Sequence, residues 1–230
     1  MGRRVFETEN GTFWIDPLSG FGAELLGAGA HEPAMIRWVR DNLRAGGTFV
    51  DVGANEGYFS VIAAKQCGDA GKVYAVEPQE ECHAALRENS RLNGCENIEI
   101  VPVLVSDHCG EVVLHLHSAT NTGATSIWRQ SRSGIRRMRT ECWPLEYLLD
   151  SKKIGTVDLL KIDIEGAEYE AVMGSQQLFR SGRIRAIALE VHPEILAERG
   201  LCDSTIHQFL VDSGYRVEFS EDLLSLYKAA

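Results

Sequence analysis

Positive charge is scarce in this sequence of 230 residues: 23 Lys and Arg stand against 33 Asp and Glu, a formal net charge of -10. A surface that is negative overall repels phosphate backbones, so a nucleic-acid partner is not expected. The six cysteines, Cys67, Cys82, Cys95, Cys109, Cys142 and Cys202, are scattered and form no C-x-x-C pair. That spacing argues against a zinc module or a disulfide framework and for reduced thiols. No apolar run approaches the roughly 20 residues that span a bilayer. Arg3 and Arg4 are followed by a polar segment and not by a signal core. Phe6 stands where a myristoylation motif needs Ser or Thr. A soluble, cytoplasmic protein without membrane contact is the expectation, and its oligomeric state is left open. Internal repeats and low-complexity linkers are also lacking.

What is present is an ordinary globular composition, 44% hydrophobic and 24% charged, enough for a sizeable core. From Thr48 onward, apolar runs alternate with amphipathic stretches, the rhythm of a parallel sheet with crossover helices. Strands are predicted over residues 48–52, 72–76, 98–104, 157–162 and 184–191, with an extra strand at 112–117. Several are continuous Val/Ile/Leu/Ala runs, as in strands buried on both faces. Helices are predicted over 57–66, 80–93, 167–179 and 204–213, and the segments 215–219 and 223–227 read as an antiparallel pair. Residues 1–45 differ, with Gly20, Gly22, Gly27 and Gly29 before a helix at 32–43. They read as an extension lying over the domain formed by residues 46–230.

The chemistry concentrates at strand ends. Phe49-Val50-Asp51-Val52-Gly53-Ala54-Asn55-Glu56-Gly57-Tyr58 is a buried strand, a glycine turn and a helix start. The G-x-G-x-x-G fingerprint of a pyrophosphate site is absent. Asp51 can accept from an ammonium and the helix N-terminus can face a carboxylate, which together suit an amino-acid head group. Glu77, before Pro78, ends the next strand about 20–25 residues on, where an acid is placed for ribose hydroxyls. S-adenosylmethionine fits a site for a ribose and an amino acid, and NAD does not fit it well. Ser106 and Asp107, after the third strand, suit an adenine amino group or a plain solvated turn. Asp163 and Glu165 share one side of a strand end, and the usual doubly wound order sets that strand beside the first. Glu190 and His192 repeat the pattern one strand later, and His192 is a natural base near neutral pH.

These runs, together with Lys161-Ile-Asp-Ile-Glu-Gly-Ala-Glu168 and the loop 121–127, resemble the FkbM-type methyltransferases over roughly residues 30 to 215. The resemblance implies a Rossmann-like α/β class I methyltransferase fold. Its sheet would have seven mostly parallel strands, with helices on both faces and the last strand antiparallel. It implies S-adenosylmethionine-dependent O-methylation of a sugar or natural product. Asp51, Gly53, Asn55, Gly57, Glu77 and Asp107 would touch the cofactor, with Ala54, Tyr58, Pro78, Ser106 and Asp163 beside them. Asp163 and Glu165 would belong to the active site. His31-Glu32-Pro33 is similar to the Glu-Pro found before the first helix of such enzymes, which adds Glu32. Cys142-Trp143-Pro144-Leu145-Glu146 departs from the family's Thr-Leu-Asp-type segment.

A hydroxyl acceptor needs a base, and the candidates are His192, Asp163 and Glu165. With Glu190 they could also hold a divalent ion, but no metal is assigned. Glu190 is read as facing the acceptor. The stretch 128–139 carries five arginines, and Arg136 and Arg137 are candidates to clamp an anionic or carrier-linked small-molecule acceptor. Methylation of RNA or protein, or a non-catalytic cofactor-binding subunit, are the alternatives.

Overall fold

The computed structural model describes residues 2–116 and 136–230. The chain opens with a hairpin, β1 (Arg4–Thr8) and β2 (Gly11–Ile15), followed by α1 (Gly20–Ala28) and α2 (Pro33–Asn42). Then come β3 (Thr48–Val52), α3 (Tyr58–Cys67), β4 (Lys72–Val76), α4 (Glu80–Leu92), β5 (Ile98–Val101), β6 (Leu104–Val105) and β7 (Gly110–Leu116). After the undescribed segment follow β8 (Arg136–Trp143), α5 (Leu145–Ser151), β9 (Leu159–Ile162), α6 (Glu168–Met173), α7 (Gln176–Arg180) and β10 (Ala186–Glu190). The chain closes with α8 (Pro193–Glu198), α9 (Asp203–Asp212), β11 (Tyr215–Glu221) and β12 (Leu224–Ala229).

The main sheet has seven strands in the order β11-β12-β10-β9-β3-β4-β5. β10, β9, β3, β4 and β5 are mutually parallel, and β12 runs antiparallel to both β10 and β11. Alternation along each strand sorts side chains into two cores. Val50, Val52, Leu160, Ile162, Ile187 and Leu189 pack on one face, and Phe49, Leu159, Ala186 and Ala188 on the other. Each such side chain stabilises the fold by about 1.5–3 kcal/mol when fully buried. The same parity places Asp51, Lys161 and Glu190 on the second face, because Asp51 lies opposite Lys161 and Lys161 opposite Ala188. That face also carries residues of α1, α2 and α3.

Three departures from the sequence reading have local causes. The run 98–104 is interrupted: β5 ends at Val101, and after Pro102 the chain resumes as β6 in a separate sheet ordered β6-β8-β7. Proline cannot donate to a ladder, so it marks the change of sheet. The helix expected over 167–179 is broken at Gly174-Ser175 into α6 and α7. A Cβ on Gly174 would lie 2.4 Å from the Cα of Asp107, so the break lets the loop after β6 pack close. The departing segment at Pro144 opens α5, with Leu145, Leu148 and Leu149 wholly buried.

The opening hairpin is held by side chains acting as a strand. Asn89 Oδ1 on α4 accepts from Trp14 N at 2.6 Å, and Asn93 both accepts from Thr12 N at 3.0 Å and donates to Thr12 O at 2.6 Å. Arg3 grips Glu56 with two hydrogen bonds of 2.7 and 2.6 Å. Ser19 caps α1, its Oγ accepting from Gly22 N at 2.9 Å.

Candidate active site

The turn after β3 is built for close approach. Gly53 N and Ala54 N donate to Val76 O at 3.0 and 3.1 Å, which seats the turn on the end of β4. Gly53 has φ +86°, and a Cβ there would stand 1.8 Å from the carbonyl oxygen of Asp163. Gly57 has φ +83° and packs against Leu86, where a Cβ would meet Cγ at 2.8 Å. Only glycine suits either position.

A cavity of about 310 Å³ lies against this turn. Gly53, Asn55, Glu77, Pro78 and Gln79 form one side, with Val103, Leu104 and Val105 beyond them. Asp163, Ile164, Glu165, Ala167 and Glu190 form another. Ser19, Gly20, Phe21, Glu24, His31 and Glu32 close it from the opening segment. Six of the lining residues are acids, Glu24, Glu32, Glu77, Asp163, Glu165 and Glu190, and none of those described is Lys or Arg. A side cavity of about 50 Å³ adjoins it, lined by Phe21, His31, Tyr58, Phe59, Lys161, Asp163 and the turn 53–56.

Glu77 is 3% exposed. Its two oxygens accept from Asn55 N at 2.9 Å and Gln79 N at 2.8 Å. Burial pushes its carboxyl up to about 7, against the pull of those N–H groups. Beneath the turn, Asp51 is 1% exposed. Its Oδ2 accepts from Ser60 Oγ at 2.6 Å, and its Oδ1 stands 3.7 Å from Lys161 Nζ. Burial raises the Asp51 carboxyl, with Lys161 and Ser60 opposing the rise. Lys161 donates to Asp163 Oδ2 at 3.1 Å. Burial works against ionising Asp163, but the Lys161 ammonium and His192 hold it below the ordinary carboxylate range.

His192 is fixed from behind. Its Nδ1 pairs with Oε1 of wholly buried Glu168 at 3.0 Å, and its Nε2 lies 3.6 Å from Glu165 Oε2. The same Glu168 oxygen accepts from Gly166 N at 3.0 Å and Ile164 N at 3.3 Å, so the loop after β9 wraps around one carboxylate. Burial lowers the imidazole pKa, but the hydrogen bond and charge of Glu168, with Glu165 and Asp163, outweigh it and bring the ring to about 9. Glu190 is pushed up to about 8, by burial first and then by Asp163 and Glu32. Asp163, Glu190 and His192 bring oxygen and nitrogen atoms within 4.8 Å of one another.

The expected residues fall into two groups. Glu32, Gly53, Asn55, Glu77, Pro78, Asp163, Glu165 and Glu190 line the main cavity, and Ala54 and Tyr58 the side one. His192 reaches the wall through Glu165. Asp51 turns its carboxyl inward, and Gly57 packs on α4. Ser106 is buried outside the lining, and Asp107 is exposed and paired with His108 Nδ1 at 2.7 Å. Arg136 pairs with Glu81 on α4, and Arg137 on β8 lies exposed opposite His115 of β7, both outside either lining. Residues 117–135, including the loop 121–127 and the other arginines up to Arg132, lie outside the described residues. The sequence reading missed Lys161, Glu168, Phe21, Glu24 and His31. Lys161 could have been found, since it stands two residues before Asp163 on the same strand face.

A family model described as the methyltransferase FkbM domain matches residues 51–217, well over half of the chain. The chain belongs to that family. S-adenosylmethionine is the cofactor of this FkbM chain. The fold is shared with a proposed methyltransferase of Streptococcus mutans in complex with SAH, at TM-score 0.54 and 11% identity, covering 87% of this chain and 99% of that one. It is shared also with an rRNA methylase from Streptococcus thermophilus, at TM-score 0.53 and 10% identity, covering 85% and 94%. Ribosomal protein L11 methyltransferase of Caldanaerobacter subterraneus subsp. tengcongensis is 34% identical over 88 residues, 37% of this chain. The match spans about a quarter of that relative's length, 26%.

Proposed function

We propose that this FkbM chain transfers the methyl group of S-adenosylmethionine to a hydroxyl oxygen of a small molecule, a sugar or natural product without net negative charge. The observation that carries the reading is one cavity lined both by the cofactor turn with Glu77 and by Asp163, Glu165 and Glu190. When bound, the cofactor supplies an activated methyl on sulfur. The protein's part is to align the acceptor oxygen behind that methyl, where positioning alone can contribute much of the acceleration. Glu190 is the best-matched base for the acceptor proton, since a carboxylate near 8 combines availability with proton affinity at neutral pH. Asp163, held ionised by Lys161, accepts the hydroxyl's hydrogen bond and orients it. His192 near 9 carries its own proton at neutral pH, so it serves as a charged partner of Glu165 and Glu168 and not as the base. Among the described residues the main cavity is lined by no Lys or Arg, and Arg136 is engaged by Glu81, which favours an acceptor without negative charge. Residues 1–45 are taken as the covering extension.

The test is radiolabelled methyl transfer from S-adenosylmethionine to panels of neutral glycosides and polyols, with rRNA and ribosomal protein as competing acceptors. Label in a small hydroxylated product supports the reading, and label only in RNA or protein refutes it. With an acceptor in hand, Glu190→Gln should lower kcat by about 100-fold or more while calorimetry with S-adenosylhomocysteine shows little change.

A further inference from the structure

Lys161 is the one Lys or Arg among the described residues lining either cavity. Its side chain is 5% exposed. Parallel register sets it opposite Asp51 on β3, so it rises from the sheet directly under the glycine turn. Asp163 Oδ2 at 3.1 Å takes one of its three N–H groups, while Asp51 Oδ1, at 3.7 Å, stands beyond hydrogen-bond distance. Donor capacity therefore remains toward the side cavity.

That cavity, about 50 Å³, admits a few heavy atoms and neither a ribose nor an adenine. Besides Lys161 and Asp163 its walls are the rings of Phe21, His31, Tyr58 and Phe59 and the turn 53–56 that leads into α3, a helix of ten residues. An anion there would meet a buried ammonium and a helix N-terminus together, while the Glu56 carboxylate in the wall is engaged by Arg3. His31, also in the wall, has each ring nitrogen committed, Nδ1 to Glu24 at 2.8 Å and Nε2 to Glu32 at 2.9 Å. An acidic protein has thus kept, between Asp163 and Asp51, a buried lysine with N–H groups to spare beside the cofactor turn. Of the parts of S-adenosylmethionine, only the amino-acid carboxylate is anionic.

We propose that Lys161 binds the carboxylate of the cofactor's amino-acid head in this side cavity, and so makes the site selective for a cofactor with that head intact. The adjoining ammonium falls to Asp163, which lines both cavities, and Asp51 acts from below by anchoring the lysine. The inference rests on the cofactor assignment, and its test needs no acceptor.

The experiment is calorimetry on the full chain with two probes, S-adenosylhomocysteine and 5′-methylthioadenosine, which share the nucleoside thioether but differ in the amino-acid head. Lys161→Met should weaken S-adenosylhomocysteine by about tenfold or more and leave 5′-methylthioadenosine unchanged, and Lys161→Arg should restore most of the loss. Binding of 5′-methylthioadenosine also reports that the variant is folded. Equal losses for both probes, or none for S-adenosylhomocysteine, overturn the proposal. Should Lys161→Met fail to fold, the wild type decides: equal affinity for S-adenosylhomocysteine and its decarboxylated analogue overturns the proposal, and a clear preference for the intact head supports it. A wild type that binds none of these nucleosides overturns the cofactor assignment and the proposal with it.

Discussion

Gly53 has no room for a methyl group, since its Cβ would fall 1.8 Å from the Asp163 carbonyl while φ stands at +86°. Gly53→Ala should therefore cost about 2 kcal/mol or more of stability, read by thermal denaturation, and should weaken S-adenosylhomocysteine. Glu77→Ala removes the acid assigned to the ribose and leaves Asn55 N and Gln79 N without their acceptor. Affinity for S-adenosylhomocysteine should fall by about tenfold or more, and an unchanged affinity would place the ribose elsewhere. At this scale the sequence was informative wherever a polar residue ended a hydrophobic run: Gly53, Glu77, Asp163, Glu165 and Glu190 all line the cavity. It was uninformative about direction. Asp51 sits at a strand end like the others, but its partner Lys161 is 110 residues away, and only strand register shows that its carboxyl turns inward. The partner of His192, buried Glu168, lies on a different element, and no pattern along the chain joins the two.

The hairpin of β1 and β2 is joined to the rest by Asn89 and Asn93, which imitate a neighbouring strand. Asn89→Ala should strand the Trp14 N–H and cost about 1–3 kcal/mol. Hydrogen exchange at Trp14 should quicken well before that of β3 or β9, and a Trp14 amide that stays protected would show that the hairpin is held elsewhere. Parallel strands and crossover helices were legible because each repeats one period over several residues. The hairpin, α5 and α8 were not, because each is short and its apolar residues meet partners distant in the chain. The strand expected over 98–104 shows the limit of periodicity: the apolar run continues through Pro102 while the hydrogen bonding changes sheet.

For the whole molecule, stability should decline as pH rises through the neutral range. Glu190 titrates near 8 in the fold against an ordinary value of 4.5. The folded state thus holds this proton more tightly than the unfolded chain, and stability is lost between those values. His192, near 9 against 6.5, contributes stability that is complete below about 6.5 and gone above about 9. Urea denaturation across pH 5 to 9.5 should show a falling curve that Glu190→Gln flattens on its acid side and His192→Gln on its alkaline side. A curve identical in all three proteins would contradict both assignments. The opening segment adds a consequence for engineering. The family match begins at residue 51, whereas Ser19, Phe21, Glu24, His31 and Glu32 wall the cavity from outside it. One wall of the cavity and the cofactor turn are therefore encoded by separable stretches of the gene. Recombining the first 45 or so codons among related chains should vary the acceptor and, through Phe21 and His31 of the side cavity, the grip on the methyl donor together.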